Sequence, residues 1–208
     1  MPALARLHLI TDTRPGRDPV AVARAALAVA GPRVAVQVRV EDETSDRDAY
    51  DLALRLVDEC AAVGACCLVN DRLHVALAAG AAGGHVGALD LPVAAARRVL
   101  GPAAVLGATA REPGSARAAV EAGATYLGVG PCYPTSTKDG LPDPIGPPGV
   151  RAVAAALDVP LIAIGGVTAA RVPELVAAGA YGVAVVGALS GAADPGRATS
   201  ELLRGLPR

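Results

Sequence analysis

Short apolar runs alternate along this 208-residue chain with longer segments whose apolar residues recur at helical spacing. The short runs are rich in Val, Ile and Leu, as buried parallel strands are, and the longer segments read as amphipathic helices. Eight runs are found, beginning at Leu7, Val34, Cys66, Gly83, Ala104, Thr125, Pro160 and Gly182. Eight strand-helix repeats in so short a chain predict an α/β fold, a single (β/α)₈ TIM barrel with short loops over residues 1–208.

Proline and glycine mark the ends of several predicted helices. Pro19 and Pro113 stand near first turns, where the missing N–H is not needed, and Gly123 and Gly179 stand just past last turns. The predicted helices cover 18–30, 46–63, 72–79, 91–100, 112–122, 148–157, 168–178 and 195–204. The alternative is a doubly wound open sheet, which usually has fewer strands and a Gly-x-Gly-x-x-Gly turn after its first strand, where this chain has "TDTRPGRD".

The amino-acid composition argues against nucleic acid and membranes as binding partners. Lys plus Arg number 19 against 20 Asp plus Glu, and Trp and Phe are absent, so the chain lacks the basic surface and the stacking residues that nucleic-acid binders use. No apolar run reaches membrane-spanning length, and "MPALARLHLITDT" lacks the features of a secretory signal. We therefore expect a cytoplasmic protein with no nucleic acid and no membrane as partner. The sequence does not decide the oligomeric state, and a homo-oligomer is compatible with it.

Polar residues and glycines collect at the carboxyl ends of the predicted strands. In a barrel all of these ends face one rim, where barrel enzymes place their active sites. In chain order the set comprises Asp12, Thr13, Arg39, Asn70, Asp71, Asp90, Thr109, the loop ending at Lys138, Gly165, Gly166, Gly187 and Ala188.

Two carboxylates of this set, Asp71 and Asp90, follow neighbouring strands. Mg²⁺ takes one or two protein carboxylates and leaves positions for water and substrate phosphate, so the pair is a candidate magnesium site. The alternative is that each aspartate caps the helix that follows it.

Cations, hydroxyls and glycines around the rim indicate anion binding. Arg39 offers a forked donor for phosphate oxygens, and Lys138 follows the hydroxyls of Thr135 and Thr137, although it is alternatively a solvated loop lysine. The turns "AIGGV" and "VVGAL" can bind phosphate through backbone amides, or their glycines merely ease a tight turn. The histidines His8, His74 and His85 have no evident serine or cysteine partner and are interpreted as structural.

With these motifs in place, the chain resembles the thiamine phosphate synthase family, whose superfamily includes thiazole tautomerases. The resemblance is carried by "LITD", "VQVR", "VND", "GGHVGALDLP", "GAT", "GVGPCYPTSTK", "AIGGV" and "GVAVV", and it spans nearly the whole chain. It implies a Mg²⁺-dependent transferase that joins hydroxymethylpyrimidine diphosphate to thiazole phosphate. It also implies that pyrophosphate leaves in a dissociative step through a pyrimidine cation.

The resemblance also implies roles for individual residues. Catalysis would depend on Arg39, Lys138 and Thr109, the last standing where the family has a serine. The diphosphate would be held by Gln37, Arg39, Asn70 and Lys138, Mg²⁺ by Asp71 and Asp90, the thiazole region by Thr135 and Thr137, and the thiazole phosphate by Gly166, Gly187 and Ala188.

Four positions depart from the family pattern. Glu41 stands where a lysine is usual, Ala88 replaces a glutamine, Gly187 a serine, and Arg111 a histidine. A carboxylate at 41 should weaken diphosphate binding. The loss of the histidine counts against the first alternative, a tautomerase-like isomerase. The second alternative is a non-catalytic homologue that binds thiazole phosphate.

Overall fold

Eight parallel strands close into a barrel in the computed structural model, which describes residues 4–137 and 140–207. The strands are β1 (Leu7–Ile10), β2 (Val34–Val38), β3 (Cys66–Asn70), β4 (Gly83–Val86), β5 (Val105–Ala110), β6 (Tyr126–Val129), β7 (Leu161–Ile164) and β8 (Gly182–Val185). Each strand pairs with its neighbours in chain order, and β8 returns to β1, where Leu7 stands opposite both Val34 and Val183. The predicted barrel is confirmed.

Helices surround the barrel at bounds close to the predicted ones. They are α1 (Pro19–Ala30), α2 (Asp46–Ala61), α3 (Leu73–Ala78), α4 (Val93–Leu100), α5 (Pro113–Glu121), α6 (Gly146–Ala154), α7 (Val172–Ala177), α8 (Gly187–Ser190) and α9 (Pro195–Arg204). The predicted helix 168–178 begins as a 3₁₀ turn, Ala169–Arg171, and α8 was not predicted because four residues are too few to show a helical period. Across residues 4–137 and 140–207, no helix combines the length and the apolar character needed to cross a membrane.

Side-chain caps fix where several helices begin. The Asp18 carboxylate accepts hydrogen bonds from the Val20 and Ala21 amides at the start of α1, and Asp194 accepts one from Arg197 at the start of α9. Both α1 and α9 also begin with proline, whose missing N–H is not needed in the first turn. These caps fix where α1 and α9 begin, whereas β6 is joined to α6 by the longer loop 130–145.

Alternation along the strands separates two apolar layers. Outward residues such as Leu7 and Leu9 pack against the helices, whereas a smaller cluster that includes Ile10, Leu68 and Tyr126 fills the barrel interior. Polar residues share this interior: His8, Gln37 and His85 are all buried. The barrel interior is therefore a packed core that contains buried polar side chains as well as apolar ones.

Two glycines make room for the largest interior rings. A Cβ on Gly107 would lie 2.2 Å from the Tyr126 ring and 2.4 Å from His85 Nδ1, and one on Gly128 would lie 3.0 Å from His85 Cε1. Neither ring has space to retreat, because Tyr126 is 1% exposed and His85 is 8% exposed. Glycine at these positions is a requirement of the packing.

We expect Gly107→Ala to destabilise the protein by about 3 kcal/mol, since overpacking a filled core forces rings and backbone apart. The matched control is Gly114→Ala in α5, where a Cβ meets nothing within 4 Å and alanine favours the helix. Urea unfolding of both variants checks this. Equal stability of the two variants would contradict the packing argument.

Candidate active site

Hydrogen bonds join neighbouring loops at the rim formed by the carboxyl ends of the strands. The Thr11 hydroxyl donates to the Arg39 carbonyl at 2.6 Å and accepts from the Arg39 amide at 2.7 Å, which joins the ends of β1 and β2. The Thr13 hydroxyl accepts from the Glu41 amide at 3.2 Å and continues this contact. The backbone that carries Arg39 is therefore fixed.

Arg39 and Glu41 form an ion pair on this rim. Arg39 Nη1 lies 3.8 Å from Glu41 Oε1, and their side chains are 18% and 37% exposed. Glu41 thus places its negative charge beside the cation that the sequence assigned to the diphosphate. A carboxylate here partly neutralises Arg39 and competes with an anionic ligand.

Asp71 and Asp90 follow β3 and β4. The N-cap positions of α3 and α4 are held by Arg72 and Pro92, so the two aspartates do not occupy the N-cap positions that the capping alternative gave them. Asp90 Oδ2 instead accepts from the Gly87 amide at 2.6 Å.

Asp71 has a left-handed backbone, with φ of 61°. Aspartate adopts this conformation more readily than most residues, but it remains uncommon and clusters at functional sites. Its amide donates to the His85 carbonyl at 2.9 Å, so the strained residue is held at the junction of β3 and β4. Both carboxylates therefore belong to one sector of the rim.

A chain of polar side chains crosses the barrel interior and ends at Thr109. Gln37 Nε2 lies 3.4 Å from the Tyr126 hydroxyl, which lies 3.1 Å from His85 Nδ1, and His85 Nε2 lies 3.0 Å from Thr109 Oγ1. Burial raises the pKa of Tyr126 well above its usual range, so the phenol keeps its proton. Two predicted site residues, Gln37 and Thr109, are linked through Tyr126, to which the sequence assigned no role, and His85, which it interpreted as structural.

Asn70 is the last residue of β3 and is partly exposed. It stands opposite His85 in the strand register, so it lies between the Asp71 turn and the interior chain. This position is consistent with the rim location that the sequence predicted.

The loop after β6 is fixed onto the end of β7 by its backbone. The Cys132 amide donates to the Ile164 carbonyl at 2.7 Å, and the Tyr133 amide donates to the Gly165 carbonyl at 3.0 Å. Cys132 itself is buried, and burial raises the pKa of its thiol to about 11, so it stays a neutral thiol. The loop is part of the rim.

The hydroxyl-rich part of the same loop reaches the turns after β7 and β8. Gly166 has φ of 61°, and a Cβ there would lie 2.5 Å from the Pro134 carbonyl oxygen, so the loop packs on a position that only glycine fits. The Thr135 and Thr137 hydroxyl oxygens are hydrogen-bonded at a distance of 3.1 Å. Lys138, which the sequence assigned to catalysis, lies outside the described residues.

Gly187 and Ala188 begin α8 directly after β8. A Cβ on Gly187 would meet the Thr137 methyl at 3.5 Å, an ordinary contact distance. The Cβ of a serine, the residue that the resemblance places at this position, would therefore fit without displacing Thr137. The Thr137 loop, Gly166 and Gly187 form one sector of the rim, across the barrel from Asp71.

Asp12, to which the sequence assigned no specific role, forms several buried contacts at the rim. Its side chain is 1% exposed, and both oxygens accept from the Arg14 guanidinium at 2.8 Å. Oδ2 also accepts from the Ser190 hydroxyl of α8 at 2.7 Å, and Arg17 lies 3.5 Å away. Hydrogen bonds from Arg14, reinforced by Ser190, hold the pKa of Asp12 well below its usual range.

A second unassigned cluster secures the β6 loop from outside. The Arg171 guanidinium donates to the Gly166 carbonyl at 2.6 Å and stacks over the Tyr133 ring at 4.2 Å. The Tyr133 hydroxyl donates to Glu174. Arg171 and Glu174 carried no signal in the sequence, because their chemistry is ordinary and only the fold brings them to the loop.

Comparison with known proteins identifies the family to which the chain belongs. The family model described as thiamine monophosphate synthase matches residues 7–189. The chain belongs to the thiamine monophosphate synthase family. The family resemblance inferred from the motifs is therefore confirmed.

Relatives of this synthase family match over nearly the whole chain. The thiamine-phosphate synthase of Salinispora arenicola is 70% identical, with 99% of each chain covered. The solved structure of the thiamine phosphate pyrophosphorylase from Pyrococcus furiosus aligns with a TM-score of 0.86 and 32% identity, covering 96% of this chain and 94% of that one. A 3-hexulose-6-phosphate synthase aligns with a TM-score of 0.68 at 18% identity and shares the fold alone.

We expect Asp12→Asn to lower the free energy of unfolding by about 2 kcal/mol near pH 7, because the amide nitrogen faces the Arg14 and Ser190 donors and leaves a buried bond unmade. The control is Asp194→Asn, since asparagine caps a helix as well as aspartate. Urea unfolding near pH 7 compares the two variants.

The stability lost in Asp12→Asn should depend on pH. The pKa of Asp12 is lower in the folded than in the unfolded protein. Its contribution is therefore complete above the unfolded pKa of about 4 and is lost as the pH falls toward the folded pKa. The difference between wild type and variant should shrink below pH of about 4, and a difference that stays constant down to pH of about 3 would refute this.

Proposed function

We propose that the chain couples hydroxymethylpyrimidine diphosphate to thiazole phosphate and releases pyrophosphate. The observation that carries this proposal is the loop of Thr135 and Thr137 folded onto Gly166, in a chain that is 70% identical to a thiamine-phosphate synthase. That loop packs on the glycine-lined sector of the rim, and the carboxylate and arginine sector lies across the barrel from it. Two phosphorylated substrates can thus bind face to face.

The coupling needs stabilisation of a leaving group more than a nucleophile. The bond between the pyrimidine methylene carbon and the diphosphate oxygen breaks, and its electron pair leaves with pyrophosphate. The thiazole nitrogen then supplies the pair for the new carbon–nitrogen bond. Arg39 and the Thr109 hydroxyl would donate hydrogen bonds to the leaving oxygens, where charge develops. The β6 loop would exclude water from the cation.

The residues present fit a magnesium ion. Asp71 and Asp90 would supply oxygen ligands from adjacent strand ends, and no group of three or more His, Cys, Asp or Glu residues that could hold a metal is found within residues 4–137 and 140–207. One or two carboxylates with room for water and phosphate are what Mg²⁺ uses in sites that bind diphosphates. When bound, the ion would neutralise charge on the diphosphate.

Arg111 supports coupling over the tautomerase alternative. The resemblance places a catalytic histidine of the tautomerases at this position, whereas here the Arg111 guanidinium donates to the Asp143 carbonyl of the loop before α6. An arginine stays protonated at neutral pH and cannot take up a proton from carbon.

We expect purified protein to form thiamine phosphate from the two substrates only when Mg²⁺ is present, with a chelator abolishing the product. Asp71→Asn and Asp90→Asn should each raise the Mg²⁺ concentration for half-maximal rate by about tenfold, because a charged ligand is lost. Asp51→Asn, an exposed residue of α2, is the control. Mass-resolved product analysis gives the readout, and full turnover with chelator would reject the metal assignment.

We expect Glu41→Lys to lower KM for the pyrimidine diphosphate by about tenfold, because it frees Arg39 and adds a cation at a distance of a few ångström. Glu41→Gln removes only the opposing charge and should give an intermediate value. Steady-state kinetics at fixed thiazole phosphate measures both. If neither wild type nor Glu41→Lys turns over, a binding protein replaces the synthase as the conclusion.

A further inference from the structure

The buried polar chain through the barrel has a direction that donor and acceptor chemistry determines. It runs from Gln37 through Tyr126 and His85 to Thr109, with contacts of 3.4, 3.1 and 3.0 Å. Gln37, Tyr126 and His85 are 4%, 1% and 8% exposed, so water does not readily replace a missing partner. Each of these contacts must therefore pair a donor with an acceptor.

The donor in each of these hydrogen bonds follows from the Gln37 side chain at the start of the series. The side-chain nitrogen of Gln37 only donates, so the Tyr126 oxygen accepts from it. The single hydroxyl proton of Tyr126 then points to His85 Nδ1, which must be unprotonated to accept it. A neutral imidazole carries its one proton on the other nitrogen, so His85 Nε2–H donates to Thr109 Oγ1.

Packing keeps the His85 ring in this orientation. A Cβ at Gly107 would lie 2.4 Å from Nδ1, and one at Gly128 would lie 3.0 Å from Cε1, so backbone closes on the ring at both positions. The Tyr126 ring lies 5.6 Å away, centroid to centroid. The imidazole is thus held between two strands with one nitrogen facing inward and the other facing Thr109.

We infer that His85 is a positioning residue that makes Thr109 a hydrogen-bond donor toward the substrate. Because Thr109 Oγ1 already accepts from His85, its own proton is left to donate at the rim. An ionised diphosphate offers only acceptors, so a threonine hydroxyl committed as a donor binds it better than one that turns its proton inward. This role rests on the proposed function; the tautomer of His85 does not.

The first experiment measures that tautomer directly. Wild-type protein labelled with ¹⁵N in histidine is examined by long-range ¹H–¹⁵N correlation, which distinguishes Nδ1–H from Nε2–H imidazole. The chain has three histidines, so His8→Gln and His74→Gln variants assign the signals. We expect His85 in the Nε2–H form in wild type and a detectable Nδ1–H fraction in Tyr126→Phe. An Nδ1–H form in wild type would overturn the inference without any kinetic data.

The second experiment tests whether the buried polar side chains affect substrate binding through Thr109. Thr109→Val should raise KM for the pyrimidine diphosphate by about tenfold, as expected for a lost hydrogen bond to a charged group, whereas Thr109→Ser keeps the hydroxyl and should stay close to wild type. Tyr126→Phe should raise the same KM by about threefold, since the tautomer is no longer fixed.

A double-variant cycle separates positioning from general damage to the barrel. If Tyr126 acts through Thr109, Tyr126→Phe adds nothing to KM in the Thr109→Val background. Tyr181→Phe, which removes a hydroxyl that donates to the Leu4 carbonyl away from the rim, is the control and should leave KM unchanged. An equal effect of Tyr126→Phe in both backgrounds would overturn the positioning role.

The two proposals fail in different ways. Wild-type protein that forms no product with Mg²⁺ would refute the proposed coupling, and the tautomer measurement would still decide the direction of the chain. Active wild-type protein with His85 in the Nδ1–H form would refute only the positioning role of His85.

Discussion

Closure of the sheet between β8 and β1 is the constraint on which the other features depend. Once Leu7 pairs with both Val34 and Val183, the eight strand ends are confined to one circle. Residues far apart in sequence then meet: Asp12 accepts from Ser190, and the loop after β6 packs on Gly166. The rim is thus a consequence of closure, and each loop only has to place a few side chains on it.

Closure also creates an interior that must be filled, and here polar side chains share it with apolar ones. An apolar cluster that includes Ile10 and Ile162 shares the interior with buried Gln37 and His85. Burying polar groups costs free energy unless each is hydrogen-bonded, which explains why they form one continuous chain. Gly107 and Gly128 provide the space for it. The core therefore extends into the site, and its polar end is Thr109.

The sequence predicted the barrel well because periodicity and turn residues are local signals. All eight strands and the long helices followed from apolar spacing, and only α8, with four residues, was too short to show a period. Motifs likewise led to Arg39, Asp71 and Asp90. The roles of Asp12, His85 and Arg171 did not follow, because a buried carboxylate or imidazole looks like any other until the partner is known. Distances such as the 3.8 Å between Arg39 and Glu41 depend on side-chain positions that no spacing encodes.

The two sectors of the rim differ in the forces that organise them. Around Asp71 and Arg39 the groups are charged and partly exposed, so binding there should respond to single charges and to salt. Around Gly166 and Thr137 the contacts are backbone hydrogen bonds and close packing, which salt hardly affects. A departure such as Glu41 therefore changes the affinity of one sector while the other keeps its shape.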